Sequence, residues 1–138
     1  MGGGQLGGVV VTSPVTSHPS TALLENIFAS FDLVEGLRGR EVVVVADGAR
    51  AGKYRPKRGE VPTKVVEAYT GYLDRVEEIA KEAEPGSVWA NTRVVRLPEH
   101  RGFGHALLAG LHEVTTEFVL VVQHDHPFTA RFSIRPVL

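Results

Sequence analysis

Asp125 stands between two histidines, His124 and His126, where the apolar run Phe118-Val119-Leu120-Val121-Val122 gives way to polar residues. Neutral imidazole and carboxylate are both ordinary ligands of divalent cations. At the end of a buried strand such a cluster lies on the carboxyl edge of a sheet, where open α/β folds bind ligands. The same residue types also make a plain solvated turn, so the cluster gains meaning only from what surrounds it.

Three further segments follow apolar runs in the same way: Thr12-Ser13-Pro14, Asp47-Gly48, and Pro98-Glu99-His100-Arg101-Gly102. In a parallel sheet all four fall on one edge. A carboxylate just past a strand, as Asp47 is, can accept hydrogen bonds from a ribose or a base N–H, and Gly48 permits tight turning or close ligand approach. A simple Asp-Gly turn uses the same two residues. Arg101-Gly102-Phe103-Gly104-His105-Ala106 opens a helix, and backbone N–H groups at such a start can cradle phosphate. Gly102 and Gly104 match the beginning of a dinucleotide fingerprint, but Leu107 occupies the third glycine position, and a tight strand-to-helix connection explains the glycines equally. Arg50, Lys53, Arg55, Lys57 and Arg58 cluster around Tyr54. That loop can fold over a diphosphate, touch RNA or stand solvated.

The elements that must position these residues follow from the apolar periodicity, which switches between continuous strand-like runs and helical spacing. Strands are expected over Gly8 to Thr12, Glu41 to Ala46, Thr92 to Leu97 and the run ending at Val122. Four consecutive valines, Val42 to Val45, suit a strand covered on both faces. Between the strands, one helix carries Leu23, Leu24, Ile27, Phe28, Phe31 and Val34 with Gly36 as its stop. A longer one has Pro62 in its first turn and Pro85-Gly86 as terminator, and a third starts near Gly104. The order β-α-β-α-β-α-β predicts an α/β fold with a Rossmann-like, mainly parallel sheet.

At 138 residues, with 43% hydrophobic and 22% charged residues, the chain suits one core. A formal charge of −1 gives no global electrostatic case for nucleic acid or a membrane surface. No 18-residue apolar run is present, so no membrane span is expected. There is no cysteine, hence no disulfide, thiolate site or cysteine nucleophile, which fits a reducing compartment; a cytoplasmic location is the expectation. Residues 1–8 read as a flexible glycine-rich leader, 9–128 as the domain and 129–138 as a short tail.

Taken in order, these pieces resemble the family-two glycosyltransferases of the GT-A fold over nearly all of Val9 to Phe128. Val43-Val44-Val45-Ala46-Asp47-Gly48-Ala49 is similar to that family's "VVDDGS" segment, with Asp47 on its second aspartate. His100-Arg101-Gly102 followed by Ala106 and Gly110 resembles its N-x-G-x-x-x-A-x-N-x-G stretch, and Val121-Val122-Gln123-His124-Asp125-His126 its strand ending in D-x-D. The resemblance implies a nucleoside diphosphate sugar as partner, bound by Ser13, Pro14, Asp47, Gly48, Gly102 and His124. It also implies Mn²⁺ or Mg²⁺ on Asp125 and His126, with His124 as a further auxiliary ligand, and glycosyl transfer to an unknown acceptor. No catalytic residue is implied, because the acceptor half and catalytic base of the family lie beyond the D-x-D strand, where this chain is short. Gln123, Ala46, His100 and Leu108 depart from the family pattern. Losing a carboxylate at position 123 weakens a hard-cation site. The departures and the short tail leave a second expectation, a catalytically silent α/β fragment or interaction module.

Overall fold

The computed structural model describes residues 6–14, 21–51 and 60–133. Its centre is a four-stranded, wholly parallel sheet of β1 (Leu6–Thr12), β3 (Val42–Ala46), β6 (Thr92–Arg96) and β7 (Phe118–Gln123), in the order β6-β3-β1-β7. Chain order thus runs outward from β1 through β3 to β6, then returns to place β7 on the other side of β1. That reversal makes the gap between the carboxyl ends of β1 and β7 a topological switch point, the usual ligand crevice of such sheets.

Two layers of helix cover the sheet. On one face, α1 (Ala22–Ser30) and α2 (Thr63–Glu82) pack Leu24, Ile27, Phe28, Tyr69, Tyr72 and Val76 against Val10, Val42 and Val44. On the other, α3 (Phe103–Glu113) sets Ala106 against Val9, Val11, Val43 and Val45. Alternate valines of β1 and β3 therefore serve opposite cores, which is why both strands read as unbroken apolar runs. A Cβ at Gly110 would lie 2.7 Å from side-chain carbons of both Val45 and Val9, so glycine is what lets α3 sit so close to the sheet. Phe28 also stacks on Trp89, with ring centroids 3.7 Å apart and planes 8° from parallel.

The fold agrees with the expected α/β class, and several boundaries move. β1 begins at Leu6, so Leu6, Gly7 and Gly8 belong to the sheet rather than to a leader. The first helix stops at Ser30, passes through a 3-10 turn (Phe31–Leu33) and enters the short strand β2 (Val34–Glu35) before Gly36. Residues of the expected tail pair back: β8 (Phe132–Ser133) runs parallel to β2. Two further two-residue strands, β4 (Arg50–Ala51) and β5 (Glu60–Val61), pair with each other. The basic cluster from Lys53 to Arg58 lies outside the described residues, as does the side chain of Arg50.

β7 is not the buried strand its composition suggests. It pairs only with β1 among the described residues, and Phe118 and Val121 are 37% and 40% exposed. Among the described residues, no helix is long and apolar enough to cross a membrane.

Candidate functional site

Residues from three strand ends and the start of α3 meet in a cleft of about 240 Å³ at the switch point. β1 contributes Val11 and Ser13, the end of β3 contributes Asp47, the loop into α3 contributes His100, Gly102 and Phe103, and the end of β7 contributes Gln123, His124 and Asp125.

Asp47 is the hub of this edge. Its residue is only 3% exposed, and its carboxylate accepts from three backbone N–H groups: Gly48 and Arg101 onto Oδ1 at 2.9 and 2.8 Å, and Gly102 onto Oδ2 at 3.0 Å. His100 Nδ1 lies 3.1 Å from Oδ2. An ionised carboxylate offers about four lone-pair sites, so these partners fill it. Asp47 therefore clamps the end of β3 to the loop that opens α3, and a ribose can reach its oxygens only by replacing a partner, His100 being the one side chain among them.

Two glycines permit the clamp. Gly102 holds φ 83° and ψ 169°, a conformation essentially reserved for glycine, and is the N-cap of α3. Gly48 lies directly under the loop, where an added Cβ would be 2.3 Å from the Glu99 carbonyl carbon. Of the two roles open to these glycines, a tight turn or close approach to a ligand, the geometry shows the tight turn. Gly102 nevertheless lines the cleft, whereas Gly48 is buried behind it. Pro14 is half-buried and does not line the cleft; its neighbour Ser13 does.

A second network joins the sheet to α2. Thr12 Oγ1, in a residue 1% exposed, lies 2.9 Å from the Tyr72 hydroxyl and 2.8 Å from His124 Nδ1. The Tyr69 hydroxyl donates to the Asp47 carbonyl at 2.7 Å. Sequence reasoning gave neither tyrosine a place in the site and missed these contacts. The signal was present, since a buried phenol ordinarily finds a hydrogen-bond partner.

Burial drives the electrostatics here. It pushes the Tyr72 phenol up to about 12, against a smaller opposing effect of the bond with Thr12. Tyr69 is raised further still, by burial first and then by Tyr72 and Asp47. Burial lowers the His124 imidazole below its usual range, against the pull of Asp125 and with a push from His126. For the tyrosines the folded state holds the proton more tightly than the unfolded chain. The contribution of Tyr72 to stability is complete below the ordinary value of 10.0 and is lost as pH rises from there toward 12. Denaturant titrations should therefore show stability falling across that window, by an amount on the order of 2 kcal/mol from Tyr72, with a shallower fall in Tyr72→Phe. A wild-type profile that stays flat through the window contradicts this.

Of the expected metal residues, Asp125 lines the cleft and His126 does not. His126 Nε2 is 3.7 Å from Asp125 Oδ1, and the two side chains are 70% and 54% exposed. His124 lines the cleft with its Nδ1 committed to Thr12. Among the described residues, no three His, Cys, Asp or Glu side chains come together as a ligand set. The pair fits only a cation that brings most of its ligands with it, as Mg²⁺ does when one or two carboxylates and substrate phosphates hold it.

Fold and site together define a Rossmann-like α/β unit with a cleft at its topological switch point. No family model and no curated protein matches the chain.

Proposed function

We propose that the chain is a glycosyltransferase-like donor-binding unit. A nucleoside diphosphate sugar enters the switch-point cleft with its nucleoside toward Asp47 and the 100–102 loop and its diphosphate toward Ser13, His124 and Asp125. The observation that supports this best is the convergence of Ser13, Asp47, Gly102, His124 and Asp125 on one cleft. These residues are separated by up to 112 positions, and the order β6-β3-β1-β7 assembles them. The cleft is smaller than the roughly 300–1,000 Å³ of pockets that enclose drug-sized ligands, so it holds part of such a donor.

The chain's own residues bind and orient. Asp47 fixes the loop that forms one wall, Ser13 offers a hydroxyl, and His124 offers a ring nitrogen. Asp125, with His126 beside it, would hold Mn²⁺ or Mg²⁺, which when bound neutralises charge gathering on a departing nucleoside diphosphate. Isothermal titration with the common nucleoside diphosphates and Mn²⁺ tests the reading. At least one should bind tighter than millimolar, and Asp125→Ala should weaken it by about tenfold or more. Failure of every nucleotide to bind in that range sinks the proposal.

A binding module without turnover is favoured by one specific feature. Gln123 lines the cleft where the resembled motif has an aspartate, leaving Asp125 as the single carboxylate at that turn. Donor binding without transfer or hydrolysis of the sugar marks this alternative.

A further inference from the structure

The chain of contacts Tyr72–Thr12–His124 has more donors than acceptors, and that count fixes the imidazole. Three protons compete for two contacts: the phenol of Tyr72, the hydroxyl of Thr12 and one ring N–H of a neutral His124. If His124 Nδ1 carried the proton and donated to Thr12, one of the two hydroxyl protons would be left without an acceptor. Thr12 could pass its own proton to Tyr72, stranding the phenol proton, or accept from both sides, stranding its own. Neither hydroxyl has another acceptor among the described residues, and Thr12 and Tyr72 are 1% and 6% exposed. Buried donors are very rarely left unmade. Only one arrangement satisfies both: Tyr72 donates to Thr12, Thr12 donates to Nδ1, and the imidazole proton sits on Nε2.

We propose that His124 is held as the neutral Nε2–H tautomer, a fixed hydrogen-bond donor lining the switch-point cleft, with Thr12 and Tyr72 as its positioning residues. Nε2 has no hydrogen-bond partner among the described residues, and the ring lines the cleft. The group it meets is an acceptor oxygen on the ligand, of a diphosphate or a sugar; that part rests on the donor-site reading. The arrangement also removes His124 from the metal ligands, because Nδ1 accepts from Thr12 and Nε2 carries hydrogen. Of the two roles the resemblance implied for His124, contact with the donor is kept and that of an auxiliary metal ligand is not.

Long-range proton–nitrogen correlation spectra of the full ¹⁵N-labelled chain test this without any ligand, at a slightly alkaline pH where an unperturbed imidazole is neutral. His124→Gln assigns the signals by removing them. The wild-type ring should show a pyrrole-like Nε2 and an unprotonated Nδ1, with no Nδ1–H population. Thr12→Val should release the ring into a mixture of tautomers, and Thr12→Ser should restore the single form. A dominant Nδ1–H form in the wild type overturns the proposal, as does an unchanged tautomer in folded Thr12→Val. If Thr12→Val does not fold, the wild-type spectrum decides alone. Adding uridine diphosphate, and separately inorganic pyrophosphate, should then shift the Nε2 resonance. The expected tautomer without a shift from either refutes the ligand contact and leaves the tautomer assignment standing.

Discussion

Asp47→Ala is expected to lower the stability of the fold by about 3 kcal/mol and to abolish the proposed nucleotide binding in the cleft. The carboxylate is buried and satisfies the N–H groups of Gly48, Arg101 and Gly102. Removing it leaves those donors facing a void, two of them in the loop that forms a wall of the cleft. Hydrogen bonds to a charged acceptor are stronger than neutral ones, and a buried donor left unpaired bears the full desolvation cost. Asp47→Asn should lose less, since its amide oxygen can still accept while its NH₂ opposes a backbone donor. Denaturant melts of the three proteins check the order. An alanine variant as stable as wild type would show that the clamp does not hold the loop.

Gly48→Ala should cost about 2 kcal/mol or more, although the change adds a single methyl group. The new Cβ would stand 2.3, 2.5 and 2.6 Å from the carbonyl carbon, oxygen and Cα of Glu99. All three are backbone atoms, so no side-chain rotation relieves the contact and the loop must retreat from β3. A retreat lengthens the Asp47 bonds to Arg101 and Gly102, so the two substitutions act on one structure. The double variant should lose clearly less than the sum of the singles. A strictly additive pair contradicts the coupling of Gly48 to the clamp.

Much of this edge is legible in the sequence. Val42 to Val45, the apolar face around Ile27 and the glycine start of α3 located the main elements, although the first helix ends at Ser30, well short of Gly36. Parallel order then put Ser13, Asp47, Gly102 and Asp125 on one side. What stayed hidden is pairing across long separations. Periodicity reports which face of an element is buried, but nothing local says that the Thr12 hydroxyl meets Tyr72 and His124. Nor does it say that the oxygens of Asp47 are taken by the backbone of Arg101 and Gly102. Edge position was hidden for a similar reason. The composition of β7 matches a central strand, and only the order β6-β3-β1-β7 places it at the margin of the described sheet. The short pair β2 and β8 is too brief to show any periodicity at all.

The proposed donor site, where a nucleoside diphosphate sugar would bind, is the switch point between β1 and β7. The most direct test is an amide chemical-shift map of the ¹⁵N-labelled protein, titrated with the tightest-binding nucleoside diphosphate in the presence of Mg²⁺. Shifts are expected at Ser13, Gly48, Arg101 to Gly104 and Gln123 to His126, reduced in Asp125→Ala. Saturating ligand that leaves those amides in place, or shifts only amides away from this cleft, contradicts the proposal.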